Sequence, residues 1–253
     1  MHETRLIMGM PIEIEIVGAG NADVLEAAFA FLVAVDERFS TYKEESEISR
    51  LSRAGALERV LNGEVQASAD MREVLALAER TKAETGGYFD IRCPDGTIDP
   101  SGIVKGWAVK NAAARMRAAG HEDFFVNAGG DIAMGGVNAA GGPWSVGIRN
   151  PFKTNEVVKI VYPKGRGVAT SGSYIRGAHI YNPHAPEEEL RDIVSTTVIG
   201  PDVLEADRFA TAAFAMGRRG IEFIETLQGF EGYAIDAEGV ATMTSGLGVF
   251  TMP

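Results

Sequence analysis

The chain has 253 residues, 45% of them hydrophobic, with 24 Lys plus Arg against 35 Asp plus Glu. The formal net charge of −11 repels nucleic acid and anionic membrane surfaces, so neither is an expected partner. An anionic substrate would need a local remedy: a divalent cation, a few lysines or helix amides.

One cysteine, Cys93, leaves no pair for an internal disulfide. No apolar run is long enough to span a bilayer, so membrane insertion is not expected. Met1 to Met10 has neither the apolar core of a signal peptide nor a lipid-attachment cysteine. The chain as given is expected in the cytoplasm, an exported protein trimmed at its N-terminus being the alternative.

In chain order, Ile12, Ile14 and Ile16 alternate with Glu13 and Glu15 and predict a half-exposed strand. A helix is predicted over Ala22 to Phe39, with Leu25, Ala28, Phe29, Leu32 and Val35 on one face. Ser40-Thr41-Tyr42 ends it, and Glu45 to Leu51 reads as a short capped helix. A second amphipathic helix runs from Ala69 to Thr85, with Met71, Val74, Leu75 and Ala78 inward, and Gly86-Gly87 stops it.

The stretch Thr97 to Gly136 organises the rest. Asp99-Pro100-Ser101-Gly102 is helix-start chemistry with Ser101 as the expected N-cap. Val104, Trp107, Ala108, Ala112, Met116 and Ala119 form a helical stripe, and Gly120 fits the stop. Phe124 to Val126 predicts a short buried strand. Asn127 to Asp131 reads as a turn that exposes backbone amides, of the kind that faces an anion from a helix N-terminus. An ordinary helix–strand connection is the plainer alternative.

Further on, Trp144, Val146 and Ile148 alternate as a strand, Val157 to Tyr162 is another, and Ile193 to Ile199 is a β-branched third. Helices are predicted over Glu205 to Met216 and Ile221 to Leu227. Phe230 to Asp236 and Val240 to Thr244 flank a hairpin signal at Ala237-Glu238-Gly239. With no solenoid repeat and no clear linker, residues 1–253 read as a single α+β domain. A mixed or antiparallel sheet with packed helices is expected, in two lobes around a cleft.

Asp207 and Thr211 are four apart on a predicted helix and share a face. Together they offer hard oxygen ligands of the kind Mg²⁺ takes. The alternative is a helix-dipole charge and a hydroxyl bonded back to its own helix. The alanines at 206, 210, 212, 213 and 215 point to a buried helix, and a buried Asp needs a partner or a cation.

Asp99-Pro100-Ser101-Gly102-Ile103-Val104-Lys105-Gly106-Trp107-Ala108, followed by Asn127, Gly129, Gly130 and Asp131, resembles the FAD:protein FMN transferase family, the ApbE proteins. Four more segments resemble it in the same order. They are Ser40-Thr41-Tyr42, Gly86-Gly87-Tyr88-Phe89-Asp90, the Gly167 to Gly172 stretch read as a turn with His179 to Pro183 beyond it, and Ala206-Asp207 through Thr211 to Met216-Gly217.

The resemblance implies Mg²⁺ held by Asp207, Thr211 and the main-chain carbonyl of Gly102. It implies FAD as substrate, contacted by Met8, Tyr42, Tyr88, Phe89, Asp90, Asp99, Lys105 and Tyr181. His179 would be the base that activates a Ser or Thr hydroxyl on an acceptor flavoprotein, releasing AMP. The chain departs from the family at Asn182 to Pro186, where His184 becomes a rival base, and Ile91 to Gly96 is short. An FAD pyrophosphatase and a flavin-binding module without turnover are the other readings.

Overall fold

The computed structural model describes residues 1–19, 21–173 and 180–253. The chain opens with a hairpin of β1 (His2–Ile7) and β2 (Met10–Ile16). Its two-residue loop, Met8-Gly9, has positive φ at both positions (54° and 71°), the mirror-image turn that matches strand twist. The register set by Ile7 opposite Met10 turns Ile12, Ile14 and Ile16 into the core, each fully buried.

Four helices follow: α1 (Ala22–Phe39), α2 (Glu47–Arg53), α3 (Leu57–Leu61) and α4 (Ala69–Glu84). Asn21, Ser46 and Ser68 cap three of them through side-chain oxygens. Helix α5 (Ser101–Ala118) then leads into β3 (Phe124–Ala128), β4 (Asp131–Gly135), β5 (Val146–Asn150), β6 (Lys153–Val161), β7 (Gly167–Gly172) and β8 (Ile193–Gly200). Helices α6 (Val203–Ala215) and α7 (Gly220–Thr226) precede the last hairpin, β9 (Glu231–Asp236) and β10 (Ala241–Met243).

Eight strands form an antiparallel sheet in the order β1-β2-β3-β4-β7-β8-β9-β10, and β5 pairs with β6 alone. Strand β4 is the keystone, because all five of its residues are buried. Ala133 faces the helical core with Ile103 and Trp107 of α5. Its neighbours Ile132 and Met134 face the opposite side, where Val146, Ile148 and Val161 of the β5–β6 hairpin cover them. The fold is thus α+β, with helices on one face of the sheet and a small hairpin on the other. Among the described residues, no helix is long and apolar enough to cross a membrane.

Several local expectations are corrected. Ser101 is the first helical residue of α5, not its cap. Pro100 occupies the cap position without a side-chain bond, and Asp99 Oδ1 accepts the Ser101 N–H at 2.9 Å. Ala119 lies past the helix end and is exposed. Asn127 to Asp131 is not a loop before a helix N-terminus. Ala128 pairs with Asp131, and only Gly129-Gly130 make the turn of a β3–β4 hairpin. Gly167 to Gly172 is strand β7 rather than a turn. Strands β1 and β4 and helix α3 are additions to the elements expected.

Candidate active site

A cleft of about 450 Å³ lies where the first turns of α5, the β3–β4 turn, β5, β7 and α6 converge. Its size falls in the range of ligand pockets. Tyr88, Phe89, Asp90 and Asp99 line it from the loop between α4 and α5. Gly102 and Lys105 line it from α5, Asp207 and Thr211 from α6, and Tyr181 from the segment before β8.

Close approach of α5 and α6 builds one side of the cleft. A Cβ at Gly102 would sit 3.0 Å from Cγ2 and 3.3 Å from Oγ1 of Thr211. One helical turn on, a Cβ at Gly106 would fall 2.6 Å from the Cβ of Asp207 and 3.0 Å from the Cα of Leu204. Two glycines four apart on one helix therefore match an Asp and a Thr four apart on the other. In a regular helix the Gly106 amide closes onto the Gly102 carbonyl. Here that N–H also reaches Asp207 Oδ2 at 2.8 Å, and a carbonyl oxygen has two acceptor positions, so Gly102 can accept from or ligate a further group. Ser171 of β7 adds a hydroxyl 3.3 Å from that of Thr211.

The charges nearest this point are buried. Lys105 Nζ lies 2.8 Å from Asp131 Oδ1 and 3.8 Å from Asp207 Oδ1, with both carboxylates almost wholly out of water. Burial, and next the neighbouring Asp131, push the Asp207 carboxyl well above the usual range, while Lys105 and the Gly106 N–H pull the other way.

The opposite wall is polar and aromatic. Burial raises the Asp90 carboxyl, but Lys82 at 2.5 Å and the Arg92 N–H outweigh it and hold the group below its ordinary range. The Tyr181 hydroxyl donates to the Arg92 carbonyl at 2.9 Å, and burial is the main cause that pushes its pKa up to about 12. The Tyr88 hydroxyl accepts from Arg219 at 2.6 Å.

The ApbE family model matches residues 8–95 and 92–234, nearly the whole chain. The chain belongs to the ApbE family. It is 34% identical over 155 residues to an FAD:protein FMN transferase of Klebsiella pneumoniae, covering 58% of this chain and 44% of that protein. It is 26% identical over 249 residues to one from Vibrio cholerae, covering 78% and 75%. The chain thus spans under half the length of the first of these relatives. The ApbE protein of Thermotoga maritima superposes with a TM-score of 0.85 at 20% identity, covering 100% of this chain and 99% of that one, and so shares its fold.

In this ApbE chain, nine of the twelve residues expected at the site line the cleft. Met8 does not: it occupies the β1–β2 turn and packs on the helical core. The neighbouring Met10 lines the cleft instead, its Sδ 3.0 Å from where a Gly129 Cβ would be. Tyr42 also lies outside the cleft lining and is 97% exposed. His179 lies outside the described residues. The rival His184 is exposed and outside the lining, its Nε2 2.9 Å from the Gly86 carbonyl and its ring edge-on to Tyr88.

Several ApbE cleft residues escaped the sequence reading: Phe125, Arg149, Thr170 and Thr197. The two threonines face each other from β7 and β8 with hydroxyls 2.9 Å apart. Arg149 sits on the hairpin that covers β4, and only the tertiary packing brings that hairpin to the site. Asp131 carried a motif signal but no assigned task.

Among the described residues no three His, Cys, Asp or Glu side chains form a metal cluster. The ApbE cleft offers another donor set: the Asp207 carboxylate, the Thr211 hydroxyl and the Gly102 carbonyl. All are hard oxygens, and the close approach of Gly102 to Thr211 fits a small hard cation there.

Proposed function

We propose that this chain transfers the FMN part of FAD to a Ser or Thr hydroxyl of an acceptor protein and releases AMP. The name of its curated relatives supports the reading, and one observation carries it: Gly102, Asp207 and Thr211 line the same nucleotide-sized cleft, where α5 and α6 pack closely. These three groups would hold Mg²⁺. When bound, the ion supplies positive charge to the phosphate oxygens of the substrate.

The protein's own groups do the rest. The N-terminus of α5 adds positive potential on the same side of the cleft as Lys105. Arg149, exposed on β5, gives a third positive source at the rim. Tyr88, Phe89 and Tyr181 offer aromatic surface for a flat heterocycle with polar edges. The acceptor oxygen forms a bond to the FMN phosphorus while the P–O bond to AMP breaks. The hydroxyl proton goes to a base, for which His179 is our assignment.

Incubation of the protein with FAD, Mg²⁺ and an acceptor carrying a flavinylation motif tests this. AMP together with FMN-labelled acceptor is the expected result. AMP with free FMN would make the chain a pyrophosphatase, and no AMP would make it a passive flavin binder.

A further inference from the structure

We propose that Asp131 is a positioning residue that holds the Lys105 ammonium away from Oδ1 of Asp207 and so keeps that oxygen open to a cation. The inference rests on the Mg²⁺ reading of Asp207 given above. It starts from an asymmetry between the two oxygens of Asp207. Oδ2 accepts the Gly106 N–H at 2.8 Å and is committed to the helix contact. Oδ1 lies 3.8 Å from Lys105 Nζ, just beyond a direct hydrogen bond. The same ammonium is 2.8 Å from Asp131 Oδ1.

Lys105 therefore stands between two buried carboxylates and leans to one of them. Its side chain is 13% exposed, so water does little to satisfy the charge if a carboxylate is lost. A shift of about 1 Å would close the gap to Asp207 and make a contact ion pair. An ammonium in that place and a divalent cation on the same oxygen exclude each other by like charge.

The backbone makes Asp131 suited to the task. It is the first residue of β4, and its pairing with Ala128 across the Gly129-Gly130 turn fixes its height in the sheet. Strand β4 is packed on both faces, so the backbone that carries the carboxylate is fixed. Groups that orient a metal's ligands from behind are typically worth about 10–100-fold in metal affinity.

The test measures Mg²⁺ binding calorimetrically in the full chain with saturating FAD, for wild type, Asp131→Asn, Lys105→Met and the double variant, each checked for folding by circular dichroism. Asp131→Asn is expected to weaken Mg²⁺ binding about 10–100-fold. In the Lys105→Met background the same substitution should cost at least about tenfold less, because the competing ammonium is gone. Wild-type affinity in Asp131→Asn, or an equal loss in both backgrounds, would overturn the proposal while leaving the metal reading intact. Absence of Mg²⁺ binding in wild type would overturn both. Should Asp131→Asn fail to fold, Asp131→Glu keeps the charge but displaces it. A loss that shrinks with Lys105→Met supports the proposal, and an unchanged affinity sinks it.

Discussion

The main-chain N–H of Gly106 donates to Oδ2 of Asp207 at 2.8 Å, so a backbone atom of one helix fixes the orientation of a carboxylate on another. The contact requires glycine, since a methyl group would lie 2.6 Å from the Asp207 Cβ and 3.0 Å from the backbone of Leu204. Gly106→Ala is expected to destabilise the fold by about 1–3 kcal/mol. The helix-propensity gain of about 0.5–1 kcal/mol does not offset this. At Gly102 the nearest atoms are side-chain atoms of Thr211 and Phe89, 3.0–3.3 Å away. Gly102→Ala should therefore cost within about 1 kcal/mol. Paired thermal melts check this, and equal losses would contradict it.

Asp90 supplies a pH prediction. Its carboxyl is held below its ordinary range in the folded protein, Lys82 and Arg92 overcoming the effect of burial. A depressed pKa contributes stability above the unfolded value, and that stability is lost as pH falls through the folded value. Asp90→Asn should lower the melting temperature at pH 7 by a few degrees at most, since a pair whose Lys82 partner is 41% exposed is worth up to about 1 kcal/mol. The gap between the variant and wild type should close as pH falls from about 4 downward. A gap that persists in acid would place the effect in packing instead.

The two candidate bases separate in kinetics. The His184 imidazole is tied to the Gly86 carbonyl outside the cleft lining. His184→Ala should leave transfer within a few-fold of wild type. His179→Ala should slow it by about 10²–10⁴-fold with FAD affinity nearly intact. Single-turnover rates of both variants decide the assignment, and the reverse order of effects would move the base to His184.

Cys93 reports on occupancy of the cleft. Its thiol lines the wall, and burial is the first cause that raises its pKa, so little thiolate exists near neutrality. Alkylation at pH 7 should be slower than for a free cysteine and slower again with FAD bound, followed by mass spectrometry. Labelling that is unaffected by FAD would remove this wall from the binding site.

Much of this was legible from residue order alone. Helix α1 shows its bounds through apolar spacing, and β2 through strict alternation of isoleucine with glutamate. Strand β4 was not legible, because burial on both faces erases the alternation: Ile132, Ala133 and Met134 are all apolar. Strand β7 was hidden by its terminal glycines, and β1 by its exposed, charged edge. At the site, Asp207 and Thr211 announced themselves by helical spacing. The exchange of Met8 for Met10 did not, because it turns on which residue a two-residue hairpin loop consumes. Arg149, Thr170 and Thr197 needed the strand order of the sheet.

The contact between α5 and α6 also sets a timetable for the chain as it is made. Gly106 and Asp207 are 101 positions apart, so joining them closes a long loop that includes β3 to β8. A nascent chain that has emerged as far as Gly200 holds the cleft's first wall with nothing to complete it. Ribosome-stalled products ending before Val203 should therefore be blind to flavin, and competence should arrive in one step when α6 docks.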